Sequence, residues 1–222
     1  MRRILSTLPW GGEKNFSKEL QKQNDMKKNI LFALLSLMPL LSSAKISPEE
    51  IKLGSENPKG VVSYVGALTN KQSLAFTYAK QWVSKTFNNY KAVVQLEDND
   101  NYKIVLKGIS LIFQKNAKES FANVETSGRL YYTATIDVKE GKFRVKFEDM
   151  SVKRNIHFSS SLIQTSDIND SFTFSEIETK LADPTTPKGL KETIVEFPLS
   201  AKNSIAGLIN SLEDALNLND DF

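Results

Sequence analysis

The sequence predicts an α+β domain: a curved antiparallel sheet packed against an N-terminal helix and a C-terminal helix. Three observations carry this. Leu130, Tyr132, Ala134, Ile136 and Val138 alternate with polar residues, and Phe143, Val145 and Phe147 do the same after Glu140-Gly141. Two runs of period two joined by a two-residue turn form a hairpin with one buried face. Leu74, Tyr78, Ala79, Trp82, Val83 and Phe87 recur at three- to four-residue spacing, as do Ile205, Leu208, Ile209, Leu212 and Leu216. Each set is one apolar stripe of a helix that needs a sheet or another helix to cover it.

In chain order, the first informative stretch is MKKNILFALLSLMPLLSSAK, which starts at Met26. Lys27 and Lys28 precede an apolar run over residues 30–41, and Ser42-Ser43-Ala44 places small residues at a cleavage site. This is the three-part pattern of a secretory signal. The run falls short of the roughly 20 residues a spanning helix needs, so no membrane anchor is expected after cleavage near Ala44. Residues 1–25 are polar, charged and non-periodic, and read as an extension from a mis-assigned start, the alternative being a long n-region of the signal. The protein is then expected to be periplasmic or secreted.

Seven of the 29 basic residues and three of the 26 acidic ones precede Lys45, leaving 22 against 23, a net charge of −1 over the last 178 residues. That balance argues against nucleic acid, whose binding needs concentrated positive charge. The chain has no cysteine, so it has neither disulfides nor thiol chemistry, and its stability must come from its core.

Residues 45–59 read as a polar lead-in or linker, and residues 60–217 as a single domain. Residues 60–65 are a first strand, followed by a turn over 66–70. Thr69 with Gln72 suggests a capping box for the first helix. Residues 92–96 read as a strand, 97–101 as an Asp/Asn turn, and 102–113 as a strand in which Gly108 marks a bulge or bend. The 129–152 hairpin would pair Val138 with Phe143, Ile136 with Val145, and Ala134 with Phe147. Its other face would pair Asp137 with Arg144 and Thr135 with Lys146. A one-residue slip would turn one strand's apolar set to the wrong side, so this register is specified. Residues 154–198 read as irregular apart from a short helix capped by Ser175 and Glu178 and ended by Pro184 and Pro187. Ser200 is the expected cap of the last helix, residues 200–217.

Three stretches, LTNKQSLAFTYAKQWVSKTF, AVVQLEDNDNYKIVLKG and YYTATIDVKEGKFRVKFEDM, together resemble an uncharacterised family of exported bacterial proteins. That family is a domain of unknown function with a TATA-binding-protein-like fold, and the fold expected here is TATA-binding-protein-like or helix-grip-like. Trp82, Phe87, Lys107-Gly108 and the run from Tyr132 to Phe143 carry the resemblance, which covers residues 61–152. It implies a fold and no biochemical role, because architecture does not carry function.

No set of residues qualifies as catalytic, and no metal or cofactor is expected. His157 is the only histidine, without the several converging ligands a metal needs. The Asp/Asn turn has Tyr102 near the position where a calcium loop requires glycine. Gly108-Ile109-Ser110-Leu111-Ile112 lacks the second glycine of a nucleophile elbow. Glu148 and Asp149 are neighbours on a strand and are expected on opposite faces. The expected function is therefore a non-catalytic interaction module of the cell envelope with an unknown envelope partner, the 154–198 segment being the expected partner surface. The alternative is a lipid or other apolar small molecule held between the sheet and the final helix by Tyr132, Phe143, Phe147, Ile205 and Leu208. Against that alternative, the same side chains can simply fill a close-packed core.

Overall fold

The computed structural model describes residues 45–119, 122–159 and 166–218. The segments read as an extension and an export signal, residues 1–44, lie outside the described residues. Six strands form one sheet: β1 (Val62–Ala67), β2 (Val94–Asp98), β3 (Lys103–Glu119), β4 (Ala122–Lys139), β5 (Lys142–Ser159) and β6 (Ser166–Phe172). Five α-helical elements accompany them among the described residues: α1 (Gln72–Phe87), the short turn α2 (Tyr90–Val93), α3 (Phe174–Ala182), α4 (Lys188–Ile194) and α5 (Phe197–Leu216). The strand order is β1-β5-β4-β3-β2, and β6 also pairs with β5. β1 takes the first half of β5's free edge and β6 the second.

The central hairpin has the register its alternation requires. Val138 faces Phe143, Ile136 faces Val145 and Ala134 faces Phe147, with Asp137 against Arg144 and Thr135 against Lys146 on the other side. Gly141 takes φ 73° in the connecting turn, a conformation that costs glycine nothing. The hairpin is longer than its apolar alternation. β3, β4 and β5 run on past residues 113, 129 and 152, where the side chains become polar. Register shifts absorb the twist of such long strands at Leu111/Phe113 and at Tyr131/Thr133. In the second, Asp149 takes φ 51° and β5 carries the extra residue, as a β-bulge does.

Gly108 is not the bulge. A Cβ there would sit 2.2 Å from Cε2 of Tyr132. The missing side chain makes room for the Tyr132 ring from the adjacent strand, the other reason a strand carries glycine.

One core lies between the sheet and the helices. Ala75, Phe76, Tyr78, Ala79, Trp82 and Val83 of α1 are buried, whereas Leu74 is 41% exposed, so the stripe is rotated towards Ala75 and Phe76. On α5, Ile205, Ile209, Leu212 and Leu216 are fully buried. At roughly 1.5–3 kcal/mol per buried large aliphatic side chain, this face is a main source of stability. Trp82 Nε1 donates to Ser211 Oγ at 2.9 Å and joins the two helices. No helix among the described residues is long and apolar enough to cross a membrane.

Several expected boundaries move because other partners take the side chains involved. Thr69 does not cap α1; its hydroxyl donates to Asn217 Oδ1 at the end of α5, and Gln72 donates to the Val138 carbonyl. The capping box of α3 is Thr173 with Glu176 rather than Ser175 with Glu178. Glu178 instead accepts from the Ser55 amide at 2.9 Å. α5 begins at Phe197, with Pro198 in its first turn, so Ser200 is inside the helix. β2 starts two residues late because residues 90–93 form the turn α2.

Two segments read as irregular are ordered. The lead-in forms short 3₁₀ turns at Pro48–Glu50 and Gly54–Glu56, and buries Ile51 and Leu53 in the core. Residues 154–198 supply the end of β5, then β6, α3 and α4. β6 reads SDINDSF, with neither an apolar alternation nor β-branched enrichment beyond Ile168. It is a strand because the second half of β5 offers it a backbone to pair with, a tertiary effect no local pattern encodes. Arg154, 8% exposed, is neutralised by Asp170 of β6 in an ion pair. Residues 160–165, which include Leu162 and Ile163, lie outside the described residues.

Candidate interaction face

The cleft expected between sheet and final helix is filled. Tyr132, Phe143, Phe147 and Ile205 are 3%, 1%, 2% and 0% exposed, and Leu208 packs half-buried against the same cluster. The Tyr132 ring meets Phe147 edge-on at 5.4 Å. Its hydroxyl lies 3.4 Å from Ser110 Oγ, a long contact, and burial pushes its phenol above the ordinary value. All five belong to the buried core cluster or pack against it, and Tyr132 and Phe147 are in direct ring contact. The physical reason is complementary size: the Tyr132 ring takes the volume that Gly108 leaves free.

The opposite face is the open one. β5 buries Phe143, Val145 and Phe147 on one side while Arg144, Lys146 and Glu148 face away. The outward rows run across the strands at matched register. Near the hairpin turn, Lys103, Asp137, Arg144 and Val65 are neighbours. Asp137 Oδ2 accepts from Arg144 Nη2 at 2.7 Å, and Lys103 lies 3.8 Å from Oδ1. Lys146 pairs with Glu148 at 2.7 Å. At the far end Asn116, Glu125, His157 and Asp167 form another row. There His157 Nδ1 lies 2.7 Å from Asp167 Oδ1, and Gln114 donates to Glu125 at 3.2 Å.

The middle of the face differs. Arg129 lies directly opposite Lys153, two cations where like charges repel. Lys153 sits 4.5 Å from the centre of the Tyr131 ring, a cation–π contact. Among the described residues no carboxylate pairs with Arg129, Lys153 or Lys107. Beside them Ile109 and Leu111 are 54% and 57% exposed.

The same region borders an open sheet edge. β2 pairs with β3 only between Lys103 and Leu106. The turn α2 marks where β2 leaves. The Tyr90 hydroxyl donates to Glu97 Oε2 at 2.6 Å, and Lys80 stands 3.4 Å from Oε1. The Tyr90 bond, with help from Lys80, holds the Glu97 carboxyl below its usual value. Burial, then Glu97, pushes the Tyr90 phenol up. Beyond Leu106 no strand among the described residues pairs with this side of β3. A solvent-open hollow lies there, lined by Asn88, Ala92 and Val93, by Lys107, Gly108 and Ile109, and by Tyr131, Thr133 and Asp149 of the neighbouring strands.

The remaining sequence candidates fall elsewhere. His157 is on the far row with one carboxylate at hand, and no group of three His, Cys, Asp or Glu side chains among the described residues could hold a metal ion. Glu148 and Asp149 depart from strict alternation. Because Asp149 is the bulge residue, its carboxylate accepts from Thr133 on the same face that carries Glu148. The two acids still have separate partners, Lys146 for Glu148 and Thr133 for Asp149. The open strip was not expected from the sequence. Its signal is that residues 103–112 are apolar in both parities: Ile104, Leu106 and Ile112 in one, Val105, Ile109 and Leu111 in the other. Only one parity can face the core.

Residues 67–153 match the model of a domain of unknown function (DUF4468) with TBP-like fold. The crystal structure of a TBP-like protein from Parabacteroides distasonis is similar in fold, with a TM-score of 0.51 and 11% identity over 77% of this chain and 97% of that one. The crystal structure of a DUF4468 family protein from Bacteroides ovatus aligns with a TM-score of 0.46 and 14% identity over 73% of this chain and 88% of that one. No curated protein matches the chain. Residues 67–153 are thus similar to that domain of unknown function, and the antiparallel sheet and helices have the TBP-like, α+β fold.

Proposed function

We propose that this chain is an exported cell-envelope protein acting as a non-catalytic interaction module through the open face of its sheet. One observation carries the reading: helices and lead-in bury one face, while the other keeps Ile109 and Leu111 more than half exposed beside Arg129 and Lys153, with which no carboxylate among the described residues pairs. Apolar surface rimmed by charge is the usual make-up of a binding face. Export rests on the residue pattern from Met26 to Ala44.

Site-specific photocrosslinking in cells tests this. A photoreactive residue at Leu111 should yield discrete adducts in the envelope fraction, in a protein whose N-terminus is Lys45. The same residue at Gln81, on the outward side of α1, should not. Retention in the cytoplasm, or equal adducts from both positions, would overturn the reading.

A further inference from the structure

We propose that the open edge of β3, from Lys107 to Lys118, takes an extended acidic segment of a partner polypeptide as an additional strand of the sheet. This deepens the interaction-module reading and rests on it.

The backbone supplies the first argument. β2 occupies this edge only as far as Leu106, and beyond it Lys107, Gly108 and Ile109 line a solvent-open hollow whose other walls include Ala92 and Val93 of α2 and Asp149 of β5. An unpaired strand edge is a template for another strand, and main-chain hydrogen bonds give such a complex much of its affinity.

Charge chooses the occupant. Lys107 and Lys118 lie on the outer side of the edge strand with Arg129 and Lys153 behind them, and Lys115 lies on the strand's other side. None of the five has a carboxylate partner among the described residues, whereas carboxylates compensate cations in the rows near the hairpin turn. A second copy of this edge would bring lysines against lysines, which opposes self-pairing. An acidic strand matches them.

Pattern chooses the rest. Lys107, Ile109 and Leu111 share the outward side of β3, so a complementary strand offers apolar side chains to Ile109 and Leu111, and acids to Lys107 and Arg129. A lipid or glycan headgroup could meet the charges but could not pair with the strand edge.

The test uses the intact protein and fluorescein-labelled dodecapeptides, one alternating Glu with Val and one alternating Lys with Val. Two further Glu–Val peptides carry N-methyl groups on every second residue, in opposite phases. The Glu–Val peptide should bind saturably, at least tenfold more tightly than the Lys–Val peptide. The R129E/K153E variant should lose at least tenfold, and R144E, on the same face but in a compensated row, should not. One N-methylation phase should abolish binding and the other retain it, because alternate amides of an added strand face β3. Amide exchange should slow over residues 107–118. Equal binding of the two charge types, indifference to R129E/K153E, or equal effects of both methylation phases would overturn the inference. So would tighter binding to phosphatidylglycerol vesicles than to the Glu–Val peptide, which would assign the strip to a membrane surface. If R129E/K153E melts early, the N-methylated pair decides alone. Each of these failures leaves the interaction-module reading standing; that reading fails on the crosslinking experiment.

Discussion

The two faces of the β3–β4–β5 ribbon are made from the same strands, one residue apart, and they do opposite things. Ile104, Leu106, Leu130, Ile136 and Val145 are at most 1% exposed. Their strand neighbours Lys103, Val105, Arg129, Asp137 and Arg144 are half-buried or exposed. The inner face is specified by volume: Gly108 exists for Tyr132, and every large side chain has a neighbour to fill. The outer face is specified by charge: Asp137 pairs with Arg144 and Lys103 near the hairpin turn, whereas among the described residues no carboxylate pairs with Arg129, Lys153 or Lys107. A core leaves little freedom to bind anything else, whereas a solvated charge pattern with a gap in it is a place where something can be added.

The comparison breaks most visibly at Leu212. Replacing this fully buried residue of α5 by aspartate should cost about 5 kcal/mol, from the lost apolar burial plus a carboxylate with no partner. That rivals a whole domain's net stability of about 5–15 kcal/mol. Circular dichroism should show an unfolded protein at room temperature. A melt like the parent's would mean α5 does not cover the inner face.

Gly108→Ala probes volume more gently. The added methyl meets the Tyr132 ring at 2.2 Å, an overpacking that should cost about 1–3 kcal/mol by urea denaturation. Combined with Tyr132→Leu, the loss should be less than additive, since the smaller side chain vacates the contested space. Strict additivity would sink the idea that the glycine serves that ring.

Tyr90→Phe separates charge from volume where β2 leaves β3. The carboxyl of Glu97 is held below 4.5, mainly by the Tyr90 hydroxyl. Its stabilising contribution is present above the unfolded value and is lost as pH falls through the lowered folded one. The phenol of Tyr90 is raised above 10 by burial and then by Glu97. Its contribution is complete below the unfolded value and is lost as pH rises towards the folded one. Denaturation at about pH 3, 7 and 11 should therefore show the variant less stable than the parent at neutrality, with the gap narrowing at both extremes. A gap independent of pH would mean the hydroxyl matters only through packing.

The smallest effect belongs to the outer face. Arg144→Ala breaks the pair with Asp137, whose arginine side chain is 52% exposed, and should cost about 0–1 kcal/mol, less at high salt. A larger loss would mean that the outer ion pairs help to hold the sheet together.

The central hairpin, its register and the burial of both helices were legible because each rests on a local period: two for the strands, three to four for the helices. Val138 opposite Phe143 follows from alternation and a short turn alone. Helix starts were less legible, because Thr69, Glu178 and Ser200 are good local caps whose actual positions are set by distant partners or by the interior of a helix. The open strip was written in β3, yet apolar residues in both parities signal only that one set must find cover, without saying where.

By itself, the sequence determined which residues could be inside, the pairing of β4 with β5 and the balance of charge, since alternation and composition are properties of the chain alone. Tertiary structure decided that a polar stretch such as SDINDSF becomes β6, that Ile51 and Leu53 of the lead-in join the core, and that β2 pairs along β3 only as far as Leu106. Those outcomes depend on which unpaired backbone and which uncovered surface the rest of the fold happens to present, and that is known only once the long strands are in place.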